Sequence, residues 1–112
     1  MTDTPDCIFC KIASHAIPVD AIYEDDQVIA FNDREPQAPT HLLVIPKQHF
    51  ATIGAVDAAL LRPLLHAAAV LGDRLLPNGH RIAINTGADG GQTVGHVHLH
   101  VLGGRQMSWP PG

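Results

Sequence analysis

Aromatic side chains are scarce in this sequence. They make up 4 % of 112 residues, with one Trp, one Tyr and three Phe. A core must therefore rest on Ile, Leu, Val and Ala, and alanine inflates the 46 % hydrophobic content. Charge is also thin: 7 basic and 11 acidic residues leave a net −4. No basic run occurs, which argues against a nucleic-acid groove. A negatively charged ligand must then be met by local dipoles rather than by a long-range field. No apolar stretch reaches the roughly 18 residues of a membrane span, and no basic-then-apolar leader pattern opens the chain. Two cysteines, Cys7 and Cys10, are too few for a disulfide framework and suit a reducing compartment. These absences predict one cytoplasmic domain over residues 1–112, with no membrane or nucleic-acid partner. That length can bury a core without staples.

The residue in excess is histidine, at eight. Its charge changes near neutral pH, so a dense cluster calls for a purpose.

Hydrophobic periodicity and turn residues predict the elements. A short helix covers residues 7–13. Two strands, 21–24 and 28–32, flank the turn Glu24-Asp25-Asp26-Gln27, and a third covers 41–45, stopped by Pro46. One long helix runs from the N-cap Asp57 to about Leu76, with Leu60, Leu61, Leu64, Leu65 and Leu71 as its core stripe. Pro63 implies either a start nearer that residue or a kink. A fourth strand covers 81–85, a glycine-rich loop 86–92, and a fifth strand 97–102. The sum is an α+β domain with a five-stranded antiparallel sheet, one long helix and one short helix.

The most informative segment is His96-Val97-His98-Leu99-His100-Val101-Leu102. Strand alternation puts the three histidines on one face and Val97, Leu99 and Val101 in the core, with imidazoles about 6–7 Å apart. Such a row can hold zinc, supply a neutral imidazole nucleophile toward phosphorus, or simply line an amphipathic surface. Gly87, Gly90 and Gly91 permit left-handed backbone, so the preceding loop can turn several N–H groups toward one anion. Coupled to three histidines, the loop reads as an oxyanion site.

Residues 96–102 match the His-φ-His-φ-His-φ-φ signature in full, and the chain resembles the histidine triad superfamily from Cys7 to Gly112. Gln37-Ala38-Pro39-Thr40-His41, Val44-Ile45-Pro46-Lys47, Asp89-Gly90-Gly91-Gln92 and the tail from Gly103 to Gly112 resemble its Hint branch. The resemblance implies a purine nucleoside phosphoramidase of the adenosine 5'-monophosphoramidase type, cleaving AMP-amine or AMP-lysine P–N bonds. His98 is then the nucleophile that forms a nucleotidyl-imidazole. His100 contacts the phosphate, and His41 orients the cluster. Asn85, Gly91, Gln92 and Thr93 bind phosphate or the leaving group. Asp33 takes both ribose hydroxyls, as a carboxylate can. Ile8, Phe9, Ile12, Ile17 and Phe31 form a slot for the purine. Two positions depart from the family pattern: Thr93 stands where many relatives have serine, and Arg34 where many carry an apolar residue. The family also implies a homodimer with sheets joined edge to edge and tails crossing to the partner.

Cys7-Ile8-Phe9-Cys10 reads as a metal half-site, a redox pair or two reduced core thiols. No strand precedes it, as a redox pair would require. The resemblance completes a structural zinc site with His49 and His96 and implies no organic cofactor. His15, His66 and His80 are expected at the surface. Three alternatives remain: dinucleoside polyphosphate hydrolysis, against which the tail argues; a non-catalytic nucleotide-binding interaction module; and a metallohydrolase with zinc on the histidine strand.

Overall fold

Val28, Ile29, Ala30 and Phe31 are all buried, so the strand that carries them is covered on both faces. The computed structural model describes residues 6–112. It forms α1 (Ile8–Ala13), β1 (Ala21–Glu24), β2 (Val28–Asn32), β3 (Thr40–Pro46), a 3-10 turn (Ile53–Ala55), α2 (Ala58–Leu75), β4 (His80–Ile84) and β5 (Leu99–Gly103). The five strands make one antiparallel sheet in the order β1-β2-β3-β5-β4. The last strand in sequence thus enters the sheet between β3 and β4, with Leu43 and Ala83 flanking His100. No helix among the described residues is long and apolar enough to cross a membrane.

The period of two sorts the core. Val28, Ala30, Leu42, Val44, Val97, Leu99 and Val101 pack with Leu60, Leu64, Ala68 and Leu71 of α2. The alternate residues Ile29, Phe31, Leu43 and Ile45 pack on the other face with Phe9 and Ile12 of α1. His41 and His100 share the parity of Leu43 and so belong to this second face.

Several boundaries differ from the sequence reading, each for a local reason. Val97 donates its N–H to the Phe50 carbonyl (2.8 Å) rather than to a neighbouring strand, so β5 begins at Leu99 and not at Val97. β4 lies one residue earlier than expected, and Pro46 closes β3 as its last paired residue, opposite Val28. The long helix starts at Ala58, directly after Asp57, and carries Pro63 inside it. Asp57 accepts the N–H groups of Leu60 and Leu61 through its backbone, while its side chain makes no cap bond. Leu65 leaves the stripe and is 50 % exposed: Leu64 and Ala68 hold the inward line, and one residue rotates the helix by about 100°. His80 is half-buried rather than on the surface. Its ring covers Gly72, where an added Cβ would lie 2.4 Å from the imidazole.

The two leucines provide a test. Leu64, fully buried, is expected to cost about 2–5 kcal/mol of unfolding free energy on truncation to alanine. Leu65→Ala is expected to cost about 0.5 kcal/mol. Urea denaturation of both variants measures the difference, and equal losses would contradict the stripe.

Candidate functional site

Two histidines of the 96–102 segment are buried, His96 (0 % exposed) and His98 (6 %), as is His41 of β3 (4 %), while His100 is half-buried. Burial forces each ring nitrogen to find a partner, and those partners assign the protons. Nδ1 of His98 lies 2.8 Å from the His96 carbonyl, which can only accept, so Nδ1 carries a proton and the neutral ring has its lone pair on Nε2. The backbone N–H of Gln37 donates to Nδ1 of His41 (2.9 Å). The His41 proton must then sit on Nε2, which donates to Nδ1 of His100 at 2.8 Å. Oδ2 of Asp33 stands 3.3 Å from the same Nε2. This leaves His100 with its own proton on Nε2, a donor. Burial, with His98 and His41 close by, pushes the pKa of His100 down to about 4 against the opposing pull of Asp33. Burial also lowers His41, again opposed by Asp33. Both rings are neutral at pH 7, as the relay requires. The rings of His98 and His100 are 5.0 Å apart, closer than the spacing expected along a strand.

A cavity of about 590 Å³ opens beside these rings, a volume typical of small-molecule sites. Its apolar walls are Ile8, Phe9, Ile12, Val19, Phe31, Leu43 and Val94. His41, His98, His100, Gly91 and Thr93 line it too, as do Asn32, Asp33, Arg34, Glu35 and Gln37. Phe9 joins the two regions, edge-on to Phe31 at 6.0 Å and to His98 at 5.2 Å between ring centroids. Asp33 accepts the Glu35 N–H through Oδ1 (2.9 Å), which holds its carboxylate beside His41.

Three residues expected at the site lie outside the lining. Ile17 packs behind it against the α1-side core, and Val19, two residues on, reaches the cavity instead. Asn85 donates to the Gly90 carbonyl (2.6 Å). Gln92 accepts the Gly87 N–H and donates to the carbonyls of Ala51 and Val94. Both amides brace the glycine-rich loop. Gly87 and Gly91 have positive φ, whereas Gly90 is needed for close approach: a Cβ there would lie 2.3 Å from the Thr86 carbonyl oxygen. Val19, Leu43 and Val94 were missed because apolar identity alone does not distinguish a wall from a core. Gln37 was missed as the group that sets the His41 proton because it acts through its backbone.

On the other side of Phe9, the ligand atoms of Cys7, Cys10, His49 and His96 all lie within 4.8 Å of one another. Cys7 Sγ is 3.3 Å from His96 Nδ1, Cys10 Sγ is 3.2 Å from His49 Nδ1, and the two Nδ1 atoms are 3.2 Å apart. Tetrahedral zinc with ordinary bond lengths sets such N···N and S···N edges at about 3.3 and 3.6 Å. Nε2 of His96 donates to the Pro46 carbonyl (2.9 Å), freeing Nδ1 to bind metal. The donor set and its spacing fit a structural zinc ion. Asp33, His41 and His100 form a second trio of possible ligands. There the hydrogen bonds argue against a cation, because His41 holds a proton on the very nitrogen that faces the other two.

Fold and site together define an α+β protein with a proton-ordered histidine cluster at an apolar cavity and a separate cysteine-histidine cluster. The chain belongs to the HIT domain family, whose model matches residues 14–107. An uncharacterised HIT-like protein of Synechococcus elongatus is 51 % identical over 111 residues, covering 96 % of this chain and 97 % of that one. A maize protein named 14 kDa zinc-binding protein is 46 % identical over 118 residues, covering 100 % of this chain and 91 % of its own. A HIT family hydrolase from Legionella pneumophila superposes with a TM-score of 0.90 at 50 % identity, covering 96 % and 100 % of the two chains.

The neutral rings predict a pH dependence. The fold disfavours the protonated form of His100, so the unfolded chain takes up a proton on it between about pH 6.5 and 4. Unfolding free energy is expected to fall as pH drops through that window, less steeply in His100→Gln. An NMR titration of His100 should show a midpoint near pH 4, and one near 6.5 would contradict this account.

Proposed function

We propose that this protein hydrolyses the P–N bond of purine nucleoside phosphoramidates through a nucleotidyl intermediate on His98. The observation that carries the reading is the hydrogen bond from His98 Nδ1 to the His96 carbonyl, which reserves Nε2 as a nucleophile at a nucleotide-sized cavity. The likeness to a HIT family hydrolase supports the reaction class.

The purine lies between the apolar walls contributed by Ile8, Phe9, Ile12 and Phe31, and Asp33 accepts the ribose hydroxyls. The α-phosphate sits against His98, Gly91 and Thr93. His100 donates its Nε2–H to a phosphoryl oxygen and so stabilises the charge that builds in the transition state. Nε2 of His98 attacks phosphorus, the P–N bond to the amine breaks, and the amine leaves with a proton taken from solvent. Water then attacks the same phosphorus, the P–Nε2 bond breaks, and the nucleoside monophosphate and free imidazole form while the proton lost by water returns to solvent. His41 holds the acceptor face of His100 throughout, so only the donor face meets the phosphate.

Cys7, Cys10, His49 and His96 hold zinc in a structural role, consistent with the zinc-binding maize relative. The ion ties α1 to the approach of β5. Association as a homodimer is supported by β4, an edge strand with Ile84 exposed, and by Trp109, which is 82 % exposed beside Arg81.

Turnover of an adenosine phosphoramidate is expected in the wild type and is expected to fall at least about a thousandfold in His98→Ala. Retained turnover in a folded His98→Ala would sink the mechanism. Nucleotide binding without turnover in the wild type would leave a binding module. Cys10→Ser is expected to lose bound zinc, measured by elemental analysis, and to lower thermal stability. Unchanged metal content would exclude the four-residue site.

A further inference from the structure

Among the described residues that line the cavity, Arg34 is the only Lys or Arg. It is exposed and forms no ion pair or side-chain hydrogen bond among the described residues. Its place along the site is set by a chain of contacts. His98 stands against His100, His100 accepts from His41, and His41 stands against Asp33, which Arg34 follows. Three side chains thus lie between Arg34 and the nucleophile along this path, and on the nucleotide reading, in which Asp33 takes the ribose, a place beside Asp33 favours the base over the phosphate.

A flat ring held between Phe9, Phe31 and the isoleucines has apolar cover for its faces, and its polar edge still needs partners. The guanidinium offers donors in a planar fork and no acceptor. It therefore complements two adjacent acceptors, the N7 and O6 of a 6-oxopurine. Adenine sets an amino donor beside N7, which the guanidinium cannot meet. Glu35, the next residue and also part of the lining, supplies the opposite character. Its carboxylate can accept from the N1–H of a 6-oxopurine, whereas the unprotonated N1 of adenine presents only a lone pair.

We propose that Arg34, seconded by Glu35, makes this cavity selective for 6-oxopurine nucleotides over adenine nucleotides. The inference rests on the nucleotide reading given above and names the base within it. A bidentate arginine contact to N7 and O6 discriminates by about 5- to 150-fold in general, and the lower part of that range suits an exposed side chain.

Calorimetric titration of the intact, zinc-loaded protein with GMP, IMP and AMP at one ionic strength tests it. GMP and IMP are expected to bind about tenfold more tightly than AMP. Arg34→Met, which keeps length and removes every donor, is expected to bring the GMP-to-AMP ratio close to one. Equal affinity for GMP and AMP in the wild type would overturn the selectivity while leaving the nucleotide reading intact, as would an unchanged ratio in Arg34→Met. An equal loss for both nucleotides would assign Arg34 to the phosphate instead, and also overturn it. Failure of all three nucleotides to bind would overturn both readings. Because Arg34 is exposed, a thermal melt of the variant matching the wild type confirms that the fold is kept.

Discussion

Val97, Leu99 and Val101 are at most 1 % exposed and pack beneath α2, in a segment that enters the middle of the sheet. That anchoring fixes the rotation of the chain about its own axis. Because side chains alternate, every residue between these three is turned to the opposite face, and a slip by one position would put imidazoles into an apolar core. The same alternation in β3 carries His41 to that face, opposite the buried Leu42 and Val44. The facing of the site is therefore set by the core: three apolar anchors turn the intervening histidines to the opposite face.

Once placed, the histidines are differentiated by which nitrogen the backbone occupies. The Pro46 carbonyl takes Nε2 of His96 and leaves Nδ1 for the cysteine cluster. The His96 carbonyl takes Nδ1 of His98 and leaves Nε2 facing away from the backbone. The Gln37 N–H takes the acceptor nitrogen of His41 and thereby makes its other nitrogen a donor, which in turn makes His100 a donor on Nε2. Four identical side chains thus differ in which nitrogen is left to accept, coordinate or donate, and main-chain groups set that difference, relayed to His100 through the His41 ring. Gln37 is itself braced, since Arg105 from the C-terminal tail donates to its carbonyl.

That logic explains what could be read from the residues and what could not. The five strands, the two helices and the facing of the His96–Val101 segment follow from periods of two and 3.6, which residue identity carries directly. The cysteine pair of the metal cluster was legible from its spacing, whereas His49 and His96 followed from the family resemblance, because eight histidines offer many possible partners. The proton assignments were not, because the partners are carbonyls and N–H groups that every residue possesses. Nor was the division of apolar residues between wall and core, as Ile17 and Val19 show. Asn85 and Gln92 show the same limit for amides, which serve a loop or a ligand equally well by composition. Leu65 marks the limit of a leucine-rich stripe: Leu60 and Leu61 both meet the core, whereas of Leu64 and Leu65 only Leu64 does, and identity does not tell the two pairs apart.

The short helix shows why two sites share one stretch of chain. α1 has only six residues, too few to be helical without outside support. Its support comes from both sides. Cys7 caps its first turn and, with Cys10, reaches the His49 and His96 rings, while Phe9 and Ile12 pack against Phe31 and Leu43. Between the two cysteines stand Ile8 and Phe9, which line the cavity. The cluster therefore clamps the segment that forms the cavity wall, and Phe9 lies edge-on to both His96 and His98. An ion bound there never needs to touch a substrate to matter. By holding one turn of helix against the approach to β5, it would add to the packing of Phe9 and Ile12 in keeping the apolar wall and the His98 imidazole in fixed relation.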